Sequence, residues 1–226
     1  MAPLRPTRLV LLGAPGVGKG TQAAKLARHL RACHLSTGDL FRNLLALDPG
    51  TRTPSMETAV EHMRRGELVP DEIVVSLMRD RFRCLSCPTG FLLDGFPRTV
   101  AQAEALDRLL GEFHLAVTRV LHYDLPLEKT VERLSGRRVC PYCKALYHLE
   151  SSRPRVDGIC DRCGTALIQR EDDRPEAIRI RLRAFCRSTA PLVDHFHRRG
   201  LLATVPADGP PDRVFDRSIQ ALNGSA

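Results

Sequence analysis

The stretch Gly13-Ala-Pro-Gly-Val-Gly-Lys-Gly-Thr21 constrains this chain more than any other. It follows a β-branched and leucine run, Thr7–Leu12, and precedes apolar residues at helical spacing, Ala23, Leu26, Ala27 and Leu30. A buried strand, a glycine-rich turn and a helix over Lys19–Leu30, in that order, begin a parallel α/β sheet. The stretch fits the G-x-x-x-x-G-K pattern, with Gly20 where Ser or Thr is usual and Thr21 next. Such glycines let successive backbone N–H groups turn toward a phosphate, while the next helix presents its positive end. Gly16, Val17, Gly18, Gly20 and Thr21 would form that cradle, and Lys19 would bridge the β- and γ-phosphates.

Further strands are expected at His34–Ser36, Gly90–Asp94, Arg119–Asp124 and Leu201–Val205, with helices between them. Thr53-Pro54 reads as a helix start, and Asp173-Arg174-Pro175-Glu176 places a cap three residues before a glutamate. Thr99 and Gln102 have capping-box spacing too. Residues 36–69 read as mostly helical, with a turn at Asp48-Pro49-Gly50. Residues 136–173 lack helical periodicity and hold four paired cysteines. Both segments interrupt the α/β alternation and read as insertions on one core of 1–35, 70–135 and 174–226.

Two hundred and twenty-six residues can bury one substantial core. No stretch has the apolar length to span a bilayer, and no signal peptide precedes the first strand, so a cytoplasmic protein is expected. The net charge is +8, and only Lys19, Lys25, Lys129 and Lys144 among the 34 basic residues are lysines. Arginine forks bind phosphate oxygens in pairs, so this balance suits a polyanion, whether nucleotide or nucleic acid.

Cys140-Pro-Tyr-Cys143 and Cys160-Asp-Arg-Cys163 are separated by sixteen residues. Without an export signal, that spacing points to a tetrahedral four-thiolate zinc site rather than disulfides. Its four positions are filled by protein, so the metal would be structural. Cys84-Leu-Ser-Cys87 lacks a matching pair, and it reads with Cys33 and Cys186 as idle or buried thiols.

The glycine-rich stretch resembles the phosphate loop of adenylate kinases and related nucleoside monophosphate kinases. Ser36-Thr37-Gly38-Asp39-Leu40-Phe41-Arg42, Phe91-Leu92-Leu93-Asp94-Gly95-Phe96-Pro97-Arg98-Thr99 and Gly136-Arg137-Arg138-Val139 extend the resemblance over nearly the whole chain. It implies a P-loop NTPase-type parallel sheet with helices on both faces, an AMP-binding insertion at 36–69 and a zinc-binding lid at 136–173. It also implies a monomer that takes ATP and AMP, with neither nucleic acid nor membrane as partner.

Transfer between nucleotides asks little acid–base work, because the acceptor is already an ionised phosphate; alignment and charge neutralisation carry the reaction. By resemblance, the catalytic set is Lys19, Arg98, Arg133, Arg137, Arg170 and Arg181. Arg42 and Arg98 would hold the AMP phosphate, with Arg137 and Arg170 reaching from the lid and Arg133 and Arg181 completing the cluster from the core; Arg170 and Arg181 also belong to the AMP side, and Arg133 and Arg137 to the ATP side. Thr37, Glu67, Leu68, Val69, Gly95, Phe96, Pro97 and Gln102 would line the AMP pocket. Gln102 could instead merely complete the Thr99 cap. Leu146 and Tyr147 would flank the ATP base, and the loop up to Pro211 would offer it carbonyls. Asp94 would fix Mg²⁺ through its water shell. A GTP:AMP phosphotransferase shares nearly every motif. A zinc-ribbon nucleic-acid-binding ATPase fits less well, since 136–173 offers no stacking platform beyond Tyr142 and Tyr147.

Overall fold

The structure is a computed structural model, and it describes residues 6–45, 47–65, 67–83 and 89–224. Five parallel strands form the central sheet: β1 (Thr7–Leu12), β2 (Cys33–Ser36), β3 (Gly90–Asp94), β4 (Arg119–Asp124) and β7 (Leu202–Pro206). Their order is β2-β3-β1-β4-β7. The apolar runs that suggested strands are buried on both faces, as parallel strands require. Along β1 the two faces alternate. Val10 and Leu12 join a core with Phe91, Leu93 and Val120. Leu9 and Leu11 join the other core with Leu92, Leu121 and Tyr123.

Helix α1 (Lys19–Leu30) and helix α9 (Pro211–Leu222) cover the second face. The first face is covered by α2 (Thr37–Leu45), α3 (Pro54–Arg64), α4 (Asp71–Arg83), α5 (Val100–Gly111) and α8 (Pro191–Arg198). Two helices complete the main body, α6 (Leu127–Ser135) and α7 (Pro175–Ala184). Between α7 and α8 the helix widens into a π-turn over Phe185–Thr189. Pro191 follows at once and has no N–H to continue the ordinary ladder, which accounts for the irregular turn.

Two strands differ from the sequence reading by one residue at their limits. The second strand begins at Cys33, and the last runs from Leu202 to Pro206. Proline is tolerated there because β7 is an edge strand, where a missing N–H breaks no ladder on its outer side. Residues 136–173 contain a small antiparallel pair, β5 (Arg137–Val139) and β6 (Leu146–His148). Among the described residues, no helix is long and apolar enough to cross a membrane.

Cys33 is disulfide-bonded, which corrects its reading as an idle thiol. The Cys84-x-x-Cys87 pair lies outside the described residues. Cys186 is an exposed free thiol.

Candidate functional site

The C-terminal ends of the parallel strands carry the site, the usual ligand edge of an open α/β sheet. Leaving β1, the chain turns at Gly13 with φ 143°, and a Cβ there would lie 2.5 Å from the Tyr123 carbonyl oxygen. Gly16 is equally confined, since its Cβ would meet Leu134 Cγ at 2.6 Å. Close packing against β4 and α6 therefore fixes the loop. Gly18 caps α1 without a side-chain bond, which leaves the helix N-terminus open to an anion. Lys19 Nζ folds back to donate to the Gly13 and Ala14 carbonyls at 2.7 and 2.9 Å. Burial pushes its ammonium down to about 8, and Arg98, Arg181 and Arg137 push the same way, against Asp94. It therefore remains mostly charged at neutral pH, in surroundings that favour an added negative group.

β3 ends on Asp94, which lies opposite Leu11 of β1 and Ser36 of β2. A Cβ on Gly20 would lie 3.5 Å from Asp94 Oδ2, so the carboxylate faces the start of α1. His34 Nε2 approaches the same carboxylate at 3.7 Å. Thr37 is buried and donates from Oγ1 to the Asp94 carbonyl at 3.3 Å. Gly95 then takes φ 83°, where a Cβ would strike Thr37 Oγ1 at 2.6 Å. The Phe96–Pro97 peptide is cis.

Arg98 Nε donates back to the Gly95 carbonyl at 2.8 Å. Burial lowers its guanidinium to about 10, and Arg181 and Arg42 add to the fall while Asp94 opposes it. Thr99 caps α5 by accepting from Gln102 N at 3.0 Å. The return half of the capping box is replaced: Gln102 Oε1 accepts from Arg98 N at 2.7 Å. Its Nε2 donates to Asp71 Oδ1 at 2.6 Å, and Asp71 Oδ2 also accepts from Thr99 Oγ1 at 2.8 Å. Gln102 is buried, with both ends of its amide engaged. Asp71 was not among the expected site residues; it stands at the first position of α4, where an acidic residue reads as ordinary helix chemistry.

On the far side, Arg137 grips Asp173 with both arms of its fork, at 2.7 and 2.5 Å. Arg181 Nη1 reaches the same carboxylate at 3.2 Å, Asp172 Oδ2 at 3.0 Å and the Asp172 carbonyl at 2.8 Å. Asp173 has no exposed surface. The sequence suggested a helix cap at Asp173, but the cap position of α7 is Arg174, with no side-chain bond. A fork-to-carboxylate pair outweighs one capped amide, so Asp173 turns inward. Arg170 is lowered to about 10 by burial first, then by Arg137 and Arg42. At Asp172 burial works the other way, yet Arg181, Arg137, Arg170 and Arg42 hold its carboxyl below the usual range.

These reciprocal influences bring Lys19, Arg42, Arg98, Arg137, Arg170 and Arg181 into one field. Arg42 also donates to Asp39 at 2.6 Å. Arg133 turns elsewhere, bracing the carbonyls of Val17 and Ala207 at 3.2 and 3.1 Å. Of the remaining AMP-side residues, Glu67 is exposed and bonded to Arg65, Leu68 is half-buried and Val69 belongs to the core. The Pro211 carbonyl accepts from Gln22 Nε2 at 2.9 Å, and Arg217 takes those of Pro206 and Asp208.

The four cysteines form two matching turns. Cys140 N bonds to the Ala145 carbonyl and Cys160 N to the Thr165 carbonyl, each at 2.9 Å. Lys144 and Gly164 occupy the same left-handed position, at φ 61° and 71°. Such turns aim both sulfurs of each pair inward. The four Sγ atoms all lie within 4.8 Å of one another, and the nearest pairs are 3.4 and 3.5 Å apart. A tetrahedral site with Zn–S bonds of about 2.3 Å would separate its sulfurs by about 3.8 Å, so the donor set fits zinc. Tyr147 lies against this cluster, while Leu146 is exposed beside it.

A family model described as adenylate kinase matches residues 11–201. The chain is 45% identical over 216 residues to a protein named adenylate kinase from Exiguobacterium sibiricum, covering 96% of this chain and 98% of that one. Similar relatives of the same name come from Acidothermus cellulolyticus and Caldanaerobacter subterraneus. The first is 46% identical over 215 residues, covering 95% of this chain and 97% of that one. The second is 43% identical over 217 residues, covering 96% of each.

Proposed function

The chain belongs to the adenylate kinase family, and from that membership we propose how its residues divide the transfer of a phosphoryl group between ATP and AMP. The reaction is ATP + AMP = 2 ADP. One observation carries the assignment of roles: a lysine and five arginines share a field that Asp39, Asp94, Asp172 and Asp173 offset only in part. A line of phosphates neutralises that field far better than water does, and water kept from the reacting phosphate cannot take it.

In this reading the glycine loop and Lys19 hold the β- and γ-phosphates of ATP, which arrives with Mg²⁺. Asp94 would hold that ion, which would supply positive charge against the phosphates. Arg42 and Arg98 fix the AMP phosphate in line. Arg137, Arg170 and Arg181 bear on the transferring group, where charge spreads in the transition state. Asp172 and Asp173 are positioning residues that keep Arg137 and Arg181 extended toward one another until phosphate competes for them. Arg133 supports the loop through Val17 and Ala207.

Residues 36–69 close over AMP and 136–173 over ATP, both moving on the core of 1–35, 70–135 and 174–226. Cys140, Cys143, Cys160 and Cys163 would hold zinc, which braces the lid and takes no part in transfer. All of these groups come from one chain, which favours a monomer. The four lid cysteines are free thiols, and so available to metal, in a chain whose Cys33 is disulfide-bonded.

The test is turnover with matched acceptors. AMP should be phosphorylated faster than UMP, CMP or GMP, with ATP preferred over GTP as donor. Faster turnover of UMP or CMP would overturn the acceptor assignment.

A further inference from the structure

Tyr147 is expected beside the ATP base, yet its hydroxyl faces the other way. The oxygen lies 3.5 Å from Cys160 Sγ and accepts a hydrogen bond from Asp161 N at 2.8 Å. A phenol that already accepts from an amide has its own proton free to donate, here toward the sulfur. The ring packs with Ala145 and Leu167 around the cysteines, so the hydroxyl is held from both ends.

Four thiolates around one divalent ion carry an excess of two negative charges, and donors aimed at the sulfurs spread that charge. Polar groups lie against the sulfurs. Cys143 N donates to Cys140 Sγ at 3.4 Å, and Thr165 Oγ1 lies 3.3 Å from Cys163 Sγ. Both of those partners belong to the cysteine turns themselves. Tyr147 differs, because it reaches Cys160 from β6, thirteen residues away. It links the second turn, which comes late in the segment, to the small sheet that leads into it.

We propose that Tyr147 is a positioning residue of the metal site, its hydroxyl relaying a hydrogen bond from Asp161 N to the Cys160 thiolate. Consecutive bonds of this kind strengthen one another. The relay holds Cys160 in the geometry zinc requires and ties the second cysteine turn to β6. This inference rests on the four-thiolate zinc reading above.

Tyr147→Phe removes the hydroxyl and keeps the ring. The variant should lose zinc to a competing chelator about ten- to a hundredfold more readily than wild type. With Co²⁺ replacing zinc at full occupancy, the thiolate-to-metal charge-transfer band should also shift between wild type and variant. That spectrum reads the sulfur environment even where the variant's lid is less stable. Unchanged zinc retention and an unchanged cobalt spectrum would overturn the proposal. A raised KM for ATP with full zinc retention would overturn it as well, and would return Tyr147 to the nucleotide. Wild-type protein that binds no zinc would instead remove the four-thiolate reading beneath it.

Discussion

Arg137→Ala should lower kcat by about 10³–10⁵, the scale seen when a transition-state arginine is removed from a phosphoryl-transfer enzyme. The Arg137 fork is satisfied by the buried Asp173 carboxylate. Such a pair holds the guanidinium in one orientation, so little motion is needed when phosphate arrives. The gain comes in the transition state, where charge spreads over the equatorial oxygens and a two-armed donor matches it best. KM for AMP should therefore change only a few-fold, because ground-state binding falls mainly to Arg42 and Arg98. The variant also leaves Asp173 buried with Arg181 as its remaining partner, so the fold must be checked by melting before rates are compared. Arg64→Ala is the control, being exposed, and should change little. A folded Arg137 variant with near wild-type kcat would exclude the role.

The second large effect concerns metal. Cys140→Ser should abolish stoichiometric zinc binding and lower the melting temperature by about 10 °C or more. Residues 136–173 bury little apolar surface: a small cluster of Cys140, Ala145 and Cys160, supported by Cys143, Tyr147 and Leu167, with Val139 beside it in the chain. That is too little apolar burial to order some forty residues against their chain entropy. Structural zinc supplies about 10–16 kcal/mol of apparent binding energy in small modules, enough to reverse the balance. Activity should survive at low temperature, because none of the four sulfurs faces the phosphate field in this account. Metal analysis and calorimetry check both statements. Wild-type protein purified without chelator, holding less than about half an equivalent of zinc with all four thiols titratable, would remove the claim.

The sheet was legible because its signals are local. Leu9–Leu12 and Phe91–Leu93 are contiguous apolar runs, and the glycines after β1 permit only a tight turn. The cysteine spacing was legible for the same reason. What escaped depends on partners distant in the chain. Asp173 reads as a cap to its own helix, but a guanidinium thirty-six residues upstream claims it. Gln102 satisfies half of a local box and gives its other end to Asp71, thirty-one residues away. Nothing near Tyr147 in sequence marks its hydroxyl's partner, and only the folded turns show that it meets sulfur. Cys33 had no visible partner pattern and was misread as idle. Each miss is a side chain whose nearest sequence neighbours offered a weaker bond than the fold did.

This field of cations should hand a phosphoryl group to AMP rather than to water. The fate of ATP labelled in its γ-phosphate, followed with saturating AMP, tests it most directly. The label should appear in the β-position of the ADP formed from AMP, with one labelled ADP for each ATP consumed. Label released mainly as inorganic phosphate while AMP remains unchanged would contradict the account.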